Sequence, residues 1–364
     1  MKIKQLKLSR FRNHKDSFVE FSDGINILSG QNGQGKTNLA ESVIIAATTK
    51  SPRTSKENEL IMAGESTCNV SLVVQRSFGE VLIEYLVDKE QGKIFKINHN
   101  EIKKMSEVFG NLVTVYFSPD ELKIVSASPA ERREFMDTDI SMLSGAYYNL
   151  LQRYNKVLFQ RNKLLKFEKN RDMLLSQIAV WNEQLASLAA PIIKTRKSFI
   201  EKLKNPANEA LKNLSKQGEN LEIEYIGAKG LTTVELKREI LSALEYNLER
   251  DIELGYTSIG PHRDDIKFIL NSMDARSYAS QGQQRSIVLA IKIAEAEIFT
   301  CELGEPPVLV LDDVFSELDT RRQKKLFEVV SKYQTIITGT AFKFPKTELY
   351  TRFMVKSGAV KKAK

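Results

Sequence analysis

Apolar and polar residues alternate at the start of the chain. Ile3, Leu6 and Leu8 predict a strand that ends near Ser9–Asn13, and Phe18–Phe21 predicts a second. Asp23 and Gly24 turn the chain into Gly24–Ser29, an apolar run of the length of a short buried strand. Asn38–Ala46 changes period, with the apolar spacing of a helix packed on a sheet. Ser51–Lys56 is too polar and Pro-broken for a regular element. Alternation returns in Cys68–Val74, Val81–Val87 and Lys93–Ile97, with Gly79 and Gly92 where hairpin turns belong. Together these stretches predict a mostly antiparallel sheet flanking the strand at Gly24–Ser29.

Glu101–Phe109 reads as a short helix and Leu112–Phe117 as a buried strand. Ser118-Pro119 and Ser128-Pro129 each carry a helix start signal, a cap followed by Pro in the first turn. From Tyr147 to about Lys204, strand signals and glycine vanish. Leu150, Leu151, Tyr154, Val157 and Leu158 keep helical spacing, as do Leu174, Leu175, Ile178, Trp181, Leu185 and Leu188, with Trp181 expected in the core. Asn170 is the expected break between two antiparallel helices, and Pro191 is expected to kink or restart the second. Leu221–Tyr225 alternates again, Val234–Leu254 predicts one amphipathic helix closed by Gly255, and Ile266–Leu270 predicts a strand. A strongly periodic helix begins at Ser280, an apolar strand runs from Val308 to Leu311, and a helix (Arg322–Ser331) and a strand (Thr335–Thr338) follow.

A chain of 364 residues holds about two domains, or one domain with a large insertion. Cys68 and Cys301 are too few for a disulfide framework and point to a reducing compartment. With His14, His99 and His262 as the only histidines, a Cys/His zinc site is not expected. The first residues mix charged and apolar side chains, unlike a signal peptide, and no apolar run is long enough to span a bilayer. A soluble cytoplasmic protein without membrane contact is expected.

The net charge of +8 suits polyanionic partners, and equally a plain basic surface. The same choice stands for the cations of the helical stretch: Arg153, Lys156, Arg161, Lys163, Lys166, Lys169, Arg171, Lys194, Arg196 and Lys197. Arg132 and Arg133 read better as a solvated helix face, beside Glu131 and Glu134, than as phosphate contacts. His262, in Gly260-Pro261-His262-Arg263-Asp264-Asp265, is left open between a structural and a functional role.

Candidate chemistry centres on Gly30-Gln31-Asn32-Gly33-Gln34-Gly35-Lys36-Thr37, which fits the phosphate-loop pattern G-x-x-x-x-G-K-[ST] without a mismatch. Glycines let the backbone curl until successive N–H groups face phosphate oxygens, and the helix start adds unpaired N–H groups. Lys36 would reach the β- and γ-phosphates of ATP, and Thr37 would be a Mg²⁺ ligand. The strand before the loop and the helix after it count against an ordinary Gly-rich turn. Val308–Asp313 is an apolar strand ending in two carboxylates, an arrangement that sets Asp312 near Mg²⁺ and Asp313 near the attacking water. Ser280, Gly282 and Gln283 lie at the start of the last long helix, where hydroxyl and bare N–H groups make a second anion site. The order describes a split ATPase.

That order, GQNGQGKT, SQGQQR, LVLDDV and SELD, resembles the ATP-binding-cassette heads of the SMC and Rad50 class. The finer resemblance is to the RecF family of bacterial DNA replication and repair proteins. It is carried by LKLSRFRNH (Leu6–His14), GINILSGQNGQGKTNLAES (Gly24–Ser42), SPAERREFMD, GPHRDD, YASQGQQR and VLVLDDVFSELDTRR, spread over nearly the whole chain. The resemblance implies an α/β fold. Residues 1–140 and 255–364 would form an ABC-type ATPase head, a phosphate-loop sheet with a flanking antiparallel sheet. Residues 141–254 would form an inserted helical arm. It further implies an ATP-dependent homodimer in which Ser280 and Gly282 contact the γ-phosphate held by the partner, with Gln283 beside them. Slow, DNA-stimulated hydrolysis is implied too, along with binding of double-stranded or gapped DNA, and work with RecO and RecR in loading RecA at single-strand gaps.

Some features depart from transporter-type cassettes. Asp313 stands where those have glutamate, as the resemblance to RecF leads one to expect. Thr338-Gly339-Thr340 stands where a histidine usually senses the γ-phosphate, and no lid glutamine is evident near Tyr116-Phe117-Ser118. Two other readings compete: a different cassette ATPase, such as a transporter subunit or translation factor, and a nucleotide-gated scaffold that never needs hydrolysis.

Overall fold

The computed structural model describes residues 1–215, 218–340 and 350–363. β1 (Lys2–Phe11) and β2 (His14–Glu20) form a hairpin, and β3 (Ile25–Ser29) runs into the Gly30–Gly35 loop, which α1 (Lys36–Thr48) closes. β4 (Thr67–Arg76), β5 (Gly79–Asp88), β6 (Gly92–Ile97) and the short β7 (Asn100–Glu101) complete an antiparallel sheet ordered β2-β1-β4-β5-β6-β7. Every second residue of β4, from Cys68 to Arg76, is buried, as one core-facing side requires.

β8 (Thr114–Phe117) precedes the helices α2 (Lys123–Ser126), α3 (Pro129–Leu143), α4 (Gly145–Phe167) and α5 (Arg171–Leu214). After β9 (Leu221–Ile226) come α6 (Thr233–Tyr246), α7 (Leu248–Leu254), β10 (Asp265–Leu270) and β11 (Met273–Asp274). The chain then runs through α8 (Ala275–Tyr278), α9 (Gln281–Leu303), β12 (Val308–Asp312), α10 (Thr320–Val330), β13 (Thr335–Gly339), β14 (Tyr350–Lys356) and β15 (Ala359–Lys362).

The second large sheet is ordered β15-β14-β3-β13-β12-β8 and is parallel from β14 to β8. Its register, Gly339 beside Ser29 and Thr338 beside Asp312, brings the carboxyl ends of β3 and β12 to one edge. Ligands of open parallel sheets bind outside that edge. α1 lies between the two sheets, against β4 and β5 on one side and β12 and β13 on the other. This position explains why Leu39–Ala47 is buried all round. α9 covers the opposite face of the parallel sheet, and α5 packs on α9.

The chain departs from its sequence pattern at several points. α5 does not break at Pro191: Ala189, Ala190, Ile192 and Ile193 around it are fully buried, and that packing overrides the lost backbone donor. The break at Asn170 is real, and its side chain caps α5 through the N–H groups of Asp172 and Met173. Val234–Leu254 is two helices, because the Asn247 side chain bonds back to the Ala243 carbonyl and turns the chain. Within Glu101–Phe109 only Met105–Glu107 is helical, since the N–H of Ile102 is drawn to Phe95 of the sheet. Trp181 is half-buried rather than core, and Asn182 beside it takes the inward position.

Several cations read as solvated or DNA-facing are engaged within the protomer, with Arg132, Arg161 and Arg196 buried and Arg133 and Lys197 half-buried. Arg132 grips Asp265 through two parallel bonds (2.6 and 3.0 Å), and Arg133 donates to the Asp264 carbonyl. Arg161 pairs with Asp251 and reaches Asn182, joining α4, α5 and α7. Arg196 holds Asp137 and the Pro261 carbonyl (2.6 Å), locking α5 to α3. Lys197 crowns the carbonyls of Ala228, Lys229 and Gly230. His262 is a satisfied structural histidine: Nε2 donates to the Thr257 carbonyl, Nδ1 accepts from the Tyr154 hydroxyl, and burial pulls its pKa down to about 4.

Candidate functional site

The loop between β3 and α1 presents Gln31, Asn32 and Gly33 to solvent and buries Gly35 and Lys36. Its curl depends on neighbours far away in sequence. Gly35 has φ 112°, and a Cβ there would lie 2.7 Å from Asn13 Oδ1 and from His14 Nε2. At Gly30 a Cβ would collide with the Val355 carbonyl. Gln34 is clamped by the β14–β15 turn, its carbonyl accepting from Gly358 N–H and its side chain from Ser357 N–H. Lys36 Nζ donates to the carbonyls of Gly30 (2.9 Å) and Gln31 (2.8 Å), an ammonium folded over the loop mouth. Burial lowers the Lys36 pKa, against the pull of Asp313 and Asp312.

The acidic strand meets this loop. Thr37 Oγ1 donates to Asp312 Oδ1 at 3.0 Å, and Thr338 donates to the same oxygen. Burial raises the Asp312 pKa, opposed by these donors. Asp313 is exposed and sits in the left-handed region (φ 55°), held by its N–H to the Thr338 carbonyl and hydroxyl. Ser316 Oγ donates to the Asp313 carboxylate at 3.0 Å. Among the described residues no cluster of three or more His, Cys, Asp or Glu could hold a metal by itself. Thr37 and Asp312 do offer two hard oxygen donors side by side. Such a pair fits Mg²⁺, which keeps waters and substrate phosphates in its remaining positions.

At the start of α9, Ser280 and Gln283 form a capping box: Ser280 Oγ accepts from Gln283 N–H, and Gln283 Oε1 accepts from Ser280 N–H at 2.9 Å. Gln283, expected at the nucleotide, has the other end of its amide on Glu219. Ser280 is exposed, and a Cβ on Gly282 would meet nothing within 4 Å. The protomer's own packing therefore does not require glycine at 282.

Several residues of the site escaped sequence reasoning. Arg12, at the β1–β2 turn, grips the buried Glu41 of α1 (3.0 and 2.7 Å), and Arg53 reaches Asn38 and Glu41. Asn13 accepts from Asn38, and His14 lies between the carbonyls of Gly35 (3.0 Å) and Gly358 (2.7 Å). Thr338 donates to the Asp312 carboxylate and accepts from the Asp313 N–H. The one available signal was the density of Arg, Asn and His at Arg10–His14, a turn too polar for a plain hairpin.

Comparison with known proteins gives a consistent result. The family described as the RecF/RecN/SMC N terminal domain matches residues 2–348. The DNA replication and repair protein RecF of Alkaliphilus oremlandii is 41% identical over 344 residues, 93% of each chain. A solved structure of the recombination mediator protein RecF-ATP in the RecFOR pathway superposes with a TM-score of 0.91 at 35% identity, covering 100% of this chain and 97% of that one. An SMC head bound to the C-winged helix domain of ScpA shares the fold, with a TM-score of 0.57 at 16% identity and coverage of 100% and 97%.

Proposed function

The chain belongs to the RecF family of DNA replication and repair proteins, and from that membership we propose that ATP closes two copies of it into a dimer on double-stranded or gapped DNA. Its fold is that of an ABC-type ATPase head. In this reading residues 1–140 and 255–364 form the head and residues 141–254 the arm, seated by the pairing of β9 with β10 across that division. Working in the cytoplasm, the dimer assists RecO and RecR in loading RecA at single-strand gaps.

The observation that carries the proposal is a division of the site. Lys36, Thr37, Asp312 and Asp313 converge at one edge, while the start of α9 carries an exposed Ser280, whose role within the protomer is to cap the helix, and Gly282, which the protomer's packing does not require. Backbone N–H groups from Gly30 to Thr37 and the Lys36 ammonium would hold the phosphates. Thr37 and Asp312 would hold Mg²⁺, which supplies charge neutralisation at the transferring phosphoryl group. Asp313 would orient the water, and Ser280 and Gly282 of the second copy would close over the γ-phosphate. A transporter or translation role is disfavoured by the 41% identity to a RecF protein.

Asp313 has a side chain one methylene shorter than glutamate, and Thr338-Gly339-Thr340 stands where other cassettes have a histidine. Water placement is therefore loose, and catalysis is sensitive to such misplacement. Turnover well below the ~1–10³ s⁻¹ common among enzymes is expected, even with DNA. Asparagine tolerates the left-handed backbone that Asp313 adopts, so Asp313→Asn removes the charge and keeps the turn. Single-turnover hydrolysis on gapped DNA should then slow, and the ATP-bound dimer should live longer. A variant that hydrolyses normally would mean that another group activates the water, or that the protein is a scaffold needing no hydrolysis.

With Arg161, Arg196 and Lys197 engaged inside the protomer and Arg171 paired with Glu249 at the surface, the exposed arm cations Arg153, Lys156, Lys163, Lys166, Lys169 and Lys194 remain as phosphate contacts. DNA affinity should fall linearly on a log–log plot against salt, with little preference for sequence. A contacting lysine changed to alanine should reduce that slope by about one. A strongly sequence-selective footprint would contradict this.

A further inference from the structure

The start of α9 is hydrogen-bonded to the segment just beyond the end of the arm helix α5. Glu219, buried just beyond the end of α5, accepts from Gln283 Nε2 at 2.8 Å. A carboxylate offers only acceptors, so Glu219 can be matched only by the NH₂ end of the Gln283 amide. That choice fixes which way the amide points. Its oxygen must face the Ser280 N–H, where it completes the capping box at 2.9 Å. Ser215, at the C-terminal end of α5, takes part as well. Its hydroxyl accepts from Glu219 N–H, and its carbonyl accepts from Arg321 in the first turn of α10, the helix that follows Asp313 and Ser316. The root of α5 thus touches the helix start that faces outwards and the helix that follows the acidic strand.

We propose that Glu219 is a positioning residue for the nucleotide-closing helix start. It orients Gln283, and through Gln283 it holds Ser280 and Gly282 in the posture that receives the partner's nucleotide. Gln283 then acts by supporting Ser280 rather than by touching ATP. α5 runs unbroken for 44 residues from the arm to this joint, so a shift of the arm reaches the dimer interface through Glu219. The inference rests on the reading that Ser280 and Gly282 act across a dimer.

A charge swap tests it. In Gln283→Glu two carboxylates face each other in a half-buried joint, and the ATP-driven dimer should weaken by at least about tenfold, since a polar group held away from water against a like charge is costly. Glu219→Gln alone lets the amide turn over, and a smaller loss of about threefold is expected on the scale of one modest hydrogen bond. Combining Glu219→Gln with Gln283→Glu restores a donor facing an acceptor, while the carboxylate at 283 still accepts from the Ser280 N–H. The double variant should dimerise within a few-fold of the original protein. ATP uptake by the monomer, measured alongside, reports on folding. Gln283→Glu dimerising normally, or a double variant no better than Gln283→Glu, would overturn the assignment of Glu219. Ser280→Arg serves as the control for the reading beneath it. If that variant also dimerises with ATP, the dimer reading itself is lost. If it does not, while the swap fails to rescue, only the Glu219 assignment is lost.

Discussion

Lys36→Ala is expected to lower ATP affinity by about one to two orders of magnitude and to remove the ATP-driven dimer with it. The size follows from the interaction lost, since a hydrogen bond to a charged group contributes about 1.5–3 kcal/mol. Lys36 Nζ already hangs over the loop mouth from the carbonyls of Gly30 and Gln31, so the ammonium is in place before a phosphate arrives. It also faces Asp312 and Asp313, whose charges raise its pKa against burial. Without the lysine those carboxylates confront the phosphates with one less countercharge. The fold should persist, because α1 is held between two sheets by Leu39–Ala47 rather than by the lysine. Equilibrium binding of ATP to the variant is the check. Unchanged affinity would remove the phosphate loop from the nucleotide site.

Ser280→Arg should leave ATP binding by the monomer nearly intact and abolish dimers. Within the protomer the Ser280 side chain accepts from Gln283 N–H, and losing an N-cap costs about 1 kcal/mol, which a helix as buried as α9 absorbs. In the proposed two-fold dimer the change would count twice, because each copy would supply one Ser280 to the other's nucleotide. Losing a phosphate bond of about 1.5–3 kcal/mol at each site weakens the dimer by roughly two to four orders of magnitude, before any clash from the longer side chain. Sizing the variant with ATP gives the answer. Dimers of ordinary strength would mean that the start of α9 plays no part in closure.

What the sequence made legible follows from how its chemistry is distributed. The Gly30–Thr37 pattern is contiguous, and its flanking strand and helix have different periods, so the strand–loop–helix unit could be placed without a structure. Asp312 and Asp313 were legible because they end an unbroken apolar run. The supports were not. Glu219 and Gln283, Arg12 and Glu41, and His14 and Gly35 are partners far apart along the chain, and nothing in the neighbouring residues points to the partner. Buried arginines mislead most. Arg161 and Arg196 share the spacing of their solvated neighbours and are told apart only by Asp251 and Asp137, which the fold brings to them. Pro191 misleads in the opposite sense, because the apolar surface around it outweighs its local preference.

The most direct test of ATP-driven closure is the mass of the protein in solution without nucleotide, with ADP and with ATP, each repeated with gapped DNA. Closure predicts a species near the 41.3 kDa of the single chain without nucleotide and with ADP, and one of about twice that mass with ATP, persisting on DNA. A mass that stays at the single-chain value with saturating ATP, on DNA as well as off it, would contradict the division of the site between two copies.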